Sequence, residues 1–309
     1  MKVAIFGGSG FIGSYIVDAC ISAGHQPILL VRKGSERKVT NPDQYRIVAG
    51  DLSDSTAILK VLEGADAAIY SVGLIREFPQ QDITFDKLHV QCLKRVIGIA
   101  EEAGLRRLIL ISANGAAPSG TRYQRTKFEA EESLRNSSLE GVILKPSIVF
   151  GDPGEKFEFT TTVRDSIISL PLPAPLFFRG FNIKGAGTFK LAPLHVRDVA
   201  QIAVRSLQGD VKEDTYGLCG NTALSWRELI NTIARALGRK KMMVPVPIWA
   251  VKIPAAFFDR FGWFPVTRDQ LDMLVEGNVC DAREVFERFD INPIPFDERS
   301  LGYLAKGKS

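Results

Sequence analysis

At 309 residues, 45% hydrophobic and 24% charged, the chain has the makeup of an ordinary globular protein, long enough for one large domain or two unequal ones. A net charge of +4, dispersed with no basic run, speaks against a nucleic-acid partner and suits an anionic cofactor. Cys20, Cys92, Cys219 and Cys280 show no metal spacing, no apolar run is long enough for a transmembrane span, and the first strand begins at residue 2, so the expectation is reduced thiols in a cytoplasmic protein with no metal site.

The first predicted element is a buried strand, Val3–Phe6, that runs into Gly7, Gly10 and Gly13, spaced G-x-x-G-x-x-G, and then into a helix over Ile12–Ala23. The three glycines serve different ends. Gly7 turns the chain, Gly10 lets the backbone approach a diphosphate, and Gly13 lets the helix lie close to the strand. The helix N-terminus supplies partial positive charge for that anion. Further strands are expected at Pro27–Val31, Tyr45–Ala49, Ala67–Ser71, Arg107–Ser112 and Gly141–Pro146, with helices at Ser55–Leu62, Phe85–Ala103 and Arg125–Asn136. Gly104 follows as a left-handed cap. This β-α alternation predicts an α/β doubly wound parallel sheet, a Rossmann fold, over residues 1–151, completed by segments around 190–210. Residues 152–190 and 213–309 are expected to form a smaller C-terminal substrate or lid region. It opens with an irregular stretch holding Pro171, Pro173 and Pro175. Helices are expected at Val196–Leu207 and at Ser225–Leu237, where Ser225 and Glu228 form a capping box. Residues 244–265 are apolar and aromatic, interrupted by Pro245, Pro247 and Pro254. That stretch reads as core of the small region, with a lid, a membrane-surface patch and a partner site as alternatives.

Arg32 and Lys33 follow the second strand, where an NAD site usually carries an acidic residue for the ribose 2′-hydroxyl. A guanidinium binds a 2′-phosphate with charge-assisted hydrogen bonds, so NADP(H) is favoured over NAD(H); the alternative is two solvated surface charges. Ser9 adds a hydroxyl to the glycine loop, beside Phe11 and Ile12. Asp51 can accept from the adenine amino group while Leu52 packs on the ring, or Asp51 can cap the next helix. Ser71, Val72 and Gly73 end the fourth strand with small residues where a ribose would approach. Tyr123 and Lys127 form Tyr-x-x-x-Lys, one helical turn apart on one face. An adjacent ammonium favours phenolate, which makes Tyr123 a candidate proton donor to a carbonyl, or acceptor in reverse.

The glycine loop, Asp51-Leu52, Tyr123-x-x-x-Lys127 and Lys145 to Gly151 resemble the short-chain dehydrogenase/reductase superfamily in its extended and atypical forms. Ser71 to Arg76, Phe85 to Val90, Ser112 to Gly115 and Leu194 to Ala200 are similar to the group related to the 39-kDa accessory subunit of respiratory complex I. The resemblance implies that Ser112 polarises the substrate carbonyl, with Ser119 and Thr121 as alternatives because the loop is short. It implies that Pro146, Ile148 and Val149 lie along the nicotinamide. His89 falls where extended members carry the asparagine that supports the lysine; it is either that support or a polar residue on a packed helix. His195 to Asp198 either borders the substrate pocket or caps the following helix.

Two functions follow as expectations. One is an NADP(H)-dependent oxidoreductase that moves hydride to or from an apolar carbonyl or hydroxyl substrate. The other is a non-catalytic NADPH-binding assembly or sensor protein; an NAD-dependent epimerase-like enzyme is a third reading, which Arg32 disfavours. A homodimer, a complex or a membrane-surface association is compatible with each.

Overall fold

The computed structural model describes residues 1–35, 42–211, 214–258 and 266–305; residues 259–265, the end of the aromatic stretch, lie outside them. In chain order the first elements are β1 (Lys2–Phe6), α1 (Phe11–Ser22), β2 (Gln26–Val31), β3 (Arg46–Ala49), α2 (Ser55–Leu62), β4 (Ala67–Tyr70), α3 (Cys92–Glu102), β5 (Arg107–Ile111), α4 (Arg122–Arg135) and β6 (Glu140–Pro146). There follow β7 (Val149–Phe150), α5 (Phe159–Val163), β8 (Ala174–Phe178), β9 (Lys190–Leu191), β10 (Leu194–His195), α6 (Val196–Arg205) and β11 (Thr215–Leu218). The chain ends through β12 (Leu224–Ser225), α7 (Trp226–Ala236), β13 (Met243–Pro247), α8 (Trp249–Phe258), α9 (Arg268–Glu276) and α10 (Arg283–Arg288).

The main sheet has seven strands in the order β11-β6-β5-β4-β1-β2-β3, all parallel. Its inner strands β1, β4 and β5 are buried along nearly their whole length, as a sheet covered on both faces requires, whereas the edge strands β3 and β11 are only partly buried. The order reverses between β1 and β4, and such a switch point opens a crevice at the carboxyl ends of the strands. The backbone N–H of Ser71 donates to Phe6 O at 2.8 Å, holding the ends of these two strands together. The described chain divides into two compact units. The first holds Met1–Pro146, Val196–Leu218 and Glu284–Ile291; the second holds Ser147–His195, Cys219–Arg283 and Asn292–Ser309.

Most predicted elements of the first unit are present, and the exceptions have local causes. The segment predicted as one helix over Phe85–Ala103 is π-helical over Asp86–Gln91 before it becomes α3. The extra residue in each turn places Leu88, His89 and Val90 together on the buried side. Helix α4 starts at Arg122, three residues ahead of expectation, because Thr121 caps it: Thr121 Oγ1 accepts from Gln124 N, and the Gln124 side chain accepts from Thr121 N. Strand β11 was not foreseen. Its four residues add to β6, which lies far upstream in sequence. On β5, the buried Arg107 donates to the carbonyls of Ser206, Gln208 and Val211 at 3.0, 2.6 and 3.2 Å and pairs with Glu140 at 3.2 Å.

The second unit packs its core on Trp226, whose ring stacks on Phe177 and Phe189 at 6.3 and 5.9 Å and whose Nε1 donates to Pro175 O. Its cap is the expected one, with the Ser225 hydroxyl accepting from Glu228 N and the Glu228 carboxylate accepting from Ser225 N. The prolines of β8 and β13 do not prevent a parallel pair from Met243↔Ala174 to Pro247↔Phe178. Pro245 and Pro247 alternate with Val244 and Val246, so the missing N–H groups fall on the unpaired edge of β13.

One expectation is overturned. The cysteines are not all reduced: Cys219 and Cys280 are joined by a disulfide with Cα atoms 5.7 Å apart, whereas Cys20 and Cys92 are free and buried. The two partners are separated by 61 residues, so only the folded second unit reveals their proximity. Cys219→Ser is expected to lower stability by up to about 4 kcal/mol, the loop-closure value for such a span. A thermal melt that matches the wild type in oxidising buffer would count against a stabilising role for this bond.

Candidate cofactor and active site

The glycine loop has the geometry its spacing calls for. Gly7 sits at φ +91°, and a Cβ there would lie 2.8 Å from the Ser71 carbonyl carbon. A Cβ on Gly13 would lie 2.0 Å from Gly7 O, so α1 packs directly on the turn after β1. Gly10 is the N-cap of α1 and brings no side chain to cap the first N–H groups, which leaves them to an anion. Ser9 precedes it in the turn, and Phe11 and Ile12 open the helix, all partly exposed.

Arg32 and Lys33 follow β2 as exposed residues. Arg32 Nε lies 3.4 Å from the Asp51 carboxylate, with both side chains about half exposed. Burial works against ionisation of Asp51, but the Ser53 backbone N–H and the Arg32 guanidinium outweigh it and hold the carboxyl below its ordinary range. Of the two roles foreseen for Asp51, capping of α2 belongs to Asp54, which accepts from Thr56 N and Ala57 N at 2.9 and 3.2 Å. Leu52 is buried beside it.

At the end of β4, Ser71 Oγ is buried and has no hydrogen-bond partner among the described residues. An orphaned hydroxyl inside a protein costs about 1–3 kcal/mol unless something satisfies it. Beyond Val72, Gly73 leaves the space that a Cβ would take 3.4 Å from Lys127 Nζ. The crevice therefore combines an uncapped helix N-terminus, a partnerless hydroxyl and a cleared backbone surface. Those three features fit a dinucleotide.

Lys127 is buried and donates to Ile111 O at 3.1 Å. Desolvation lowers its pKa to about 8, with Glu131 opposing that fall. Tyr123, one turn earlier on α4, is half-buried among aromatic rings, with Phe85 and His89 edge-on at 5.6 and 5.5 Å. The expected downward pull of Lys127 on the phenol is not what this structure shows, because burial carries Tyr123 up to about 12. The ammonium is turned toward the Ile111 carbonyl.

His89 is explained by packing. It stacks on Phe85 at 5.3 Å, and Leu74 N donates to its Nε2 at 3.4 Å. Nδ1 therefore carries the ring proton, which it donates to Thr126 Oγ1 at 3.0 Å. Burial, with the Lys127 charge second, holds its pKa down at about 2, so the ring is neutral.

Ser112 is near the pair in sequence, but its hydroxyl donates to Glu131 Oε1 at 2.6 Å. Glu131, 1% exposed, also pairs with Lys145 at 3.2 Å and with Arg135 at 3.0 Å. Sequence reading passed over this carboxylate, although its place one helical turn after Lys127 was the available signal. Ser119 is exposed, and Thr121 is engaged as a cap. Pro146 ends β6 and accepts from Asn114 N at 2.8 Å. Ile148 and Val149 belong to the second unit, where Leu194 pairs with Val149 and its N–H donates to Ile148 O. In the first unit, Asp198 is buried in the first turn of α6. In the second unit, His195 lies edge-on to Phe150 at 5.0 Å. Among the described residues no cluster of potential metal ligands is present.

A family model described as NAD(P)H-binding matches residues 7–168. The chain is 24% identical to "Ceramide reductase" of Caulobacter vibrioides, over 86% of this chain and 79% of that protein. It is 27% identical to "NADH dehydrogenase [ubiquinone] 1 alpha subcomplex subunit 9, mitochondrial" of Arabidopsis thaliana, over 94% of this chain and 73% of the relative. Among solved structures, Thermus thermophilus UDP-glucose 4-epimerase in complex with NAD superposes with a TM-score of 0.74 at 18% identity, covering 99% of this chain and 98% of that one. These matches bear out the resemblance to extended and atypical short-chain dehydrogenase/reductases, including the complex I subunit group.

Proposed function

The chain belongs to the NAD(P)H-binding family, and from that premise we propose that it is an NADP(H)-dependent oxidoreductase acting on an apolar carbonyl or hydroxyl substrate. Gly7, Ser9, Gly10, Phe11, Ile12 and Gly13 hold the diphosphate. Arg32 and Lys33 hold the 2′-phosphate, with Asp51 and Leu52 at the adenine. Ser71, Val72 and Gly73 face the ribose, where the Ser71 hydroxyl finds its partner. Pro146 lies along the nicotinamide. Once bound, the cofactor supplies or accepts hydride. Tyr123 delivers a proton to the carbonyl oxygen or takes one back, Lys127 stabilises the phenolate, and Ser112, turned from Glu131, orients the carbonyl.

The observation that carries this reading is the position of Lys127: a buried ammonium beside Gly73, one helical turn from Tyr123, in the crevice of the glycine loop. A cation held there at a desolvation cost has chemical work to do beyond folding. The Arg32–Asp51 pair is half-exposed and worth little by itself, which leaves the guanidinium free to turn to a phosphate.

Arg32→Ser is expected to weaken NADPH binding by about 10- to 100-fold, the loss of one or two charge-assisted hydrogen bonds, and to leave NADH binding unchanged. Calorimetry with both nucleotides tests this. Equal affinities in the wild type would remove the coenzyme assignment.

A second reading rests on a specific observation, the commitment of the Ser112 hydroxyl to Glu131 together with the raised Tyr123 pKa. Under it the protein holds NADPH as an assembly or sensor ligand, as suggested by the similarity to a complex I subunit. Tight NADPH binding without turnover across a panel of apolar carbonyls would favour it.

A further inference from the structure

The second unit exposes a set of large apolar side chains that its core does not absorb. On α8, Trp249, Ile253 and Phe257 recur every fourth residue and are 55% to 65% exposed, so they share one helix face. The β8–β13 pair places Phe178 opposite Pro247, and Ile248 N donates to Phe178 O at 3.0 Å. The exposed Phe181 and Ile183 therefore leave the ribbon at the end where α8 begins. At the other end Ala174 N donates to Met242 O, and Leu170, Leu172 and Met242 are exposed as well.

Charge distinguishes this surface from ordinary exposed hydrophobics. Over the chain, 39 basic residues nearly balance 35 acidic ones. Residues 166–195 and 229–258, which supply the patch, contain no Asp or Glu at all but carry eight Lys and Arg. Arg179 and Lys184 sit among Phe181 and Ile183, and Arg239 and Lys240 precede Met242; all four are exposed. Asp272 and Glu298 reach two of these cations from neighbouring elements, pairing with Lys252 and Arg235 at 2.7 Å each. Arg179, Lys184, Arg239 and Lys240 remain as exposed cations beside the aromatic and aliphatic side chains, an arrangement complementary to an anionic bilayer: rings enter the headgroup boundary while cations meet phosphates. Helix α8 has 10 residues, too short to span a bilayer, so the contact is superficial.

We propose that this face of the second unit docks on an anionic phospholipid surface, with Phe181, Ile183, Trp249, Ile253 and Phe257 inserted and Arg179 and Lys184 at the headgroups. The inference stands apart from the cofactor reading, since none of these residues belongs to the proposed crevice.

The test is flotation of the full chain with vesicles of phosphatidylcholine alone or mixed with phosphatidylglycerol. The wild type is expected to float with the anionic vesicles at least about tenfold better than with the neutral ones, and to be released by high salt. Trp249→Ser with Phe257→Ser, and separately Arg179→Glu with Lys184→Glu, are each expected to reduce flotation about tenfold. These sites are exposed, and retained NADPH binding or an unchanged thermal melt shows that the variants are folded. No flotation, flotation indifferent to lipid charge, or flotation indifferent to both variants overturns the proposal. So does light scattering that shows a dimer of this chain dissolved by the same substitutions, because the patch would then be covered by a second copy. Vesicle binding by a chain that binds no nucleotide would uphold this inference and refute the functional reading.

Discussion

Tyr123→Phe is expected to reduce turnover of an apolar carbonyl by about 10²- to 10⁴-fold, the usual contribution of a positioned proton donor, while NADPH binding stays within a factor of about two. The phenol is enclosed by Phe85 and His89, and its ring packing survives the loss of one oxygen. Because burial holds the free phenol up at about 12, it is well supplied with its proton at neutral pH. The reduction direction therefore needs no prior protonation. Lys127 has its pKa lowered to about 8, so its charge fades as pH rises through that value. Reduction, which develops phenolate beside it, should decline above pH about 8, and Lys127→Met should abolish that inflection. Single-turnover rates with NADPH across pH, in wild type and both variants, supply the measurement. A Tyr123→Phe protein with undiminished turnover would end the acid/base assignment.

Gly13→Ala carries the second large effect. Its Cβ would stand 2.0 Å from Gly7 O, a backbone atom in a turn that is itself pinned against Ser71. Relief requires α1 to move off the sheet, which displaces the N–H groups proposed to hold the diphosphate. Nucleotide affinity is expected to fall at least about 100-fold, with a loss of several kcal/mol in stability if the turn resists. Gly98→Ala on α3 is the matched control: an added methyl meets nothing within 4 Å, so helix propensity alone should raise stability by about 0.5–1 kcal/mol. Calorimetric titration with NADPH and urea melts of both variants separate the two cases. Wild-type affinity in Gly13→Ala would show that the loop does not grip the cofactor.

What the sequence made readable was mostly local. The glycine turn, the buried strands and the caps at Ser225 and Gly104 depend on neighbours a few residues away, and glycine spacing or apolar runs record them directly. What it hid was long-range. Strand β11 is four residues, Thr-Tyr-Gly-Leu, with no period to detect, and it becomes a strand only because β6 offers an edge. The Cys219–Cys280 bond and the β8–β13 ribbon depend on folding of the second unit in the same way. Within the site, the Tyr-Lys spacing was readable because a helix converts it into proximity. The Ser112–Glu131 bond was harder to read: spacing puts Glu131 on the Tyr-Lys face of α4, but only the packing of α4 on the sheet brings that face to the end of β5. The Tyr123 pKa went the other way for a related reason: spacing reports the nearby cation but not the burial that outweighs it.

The carbonyls that Arg107 gathers come from residues 206, 208 and 211, and the same unit takes in Glu284–Ile291. The nucleotide-binding half is thus unfinished while the ribosome is still translating the other half. A nascent chain stopped near residue 150 would hold a guanidinium with most of its acceptors not yet synthesised, and an open sheet edge at β6 awaiting β11. Truncation at the apparent end of the Rossmann pattern should therefore yield an aggregation-prone fragment, and release from the ribosome, not emergence of the first half, should set the moment at which cofactor can be captured.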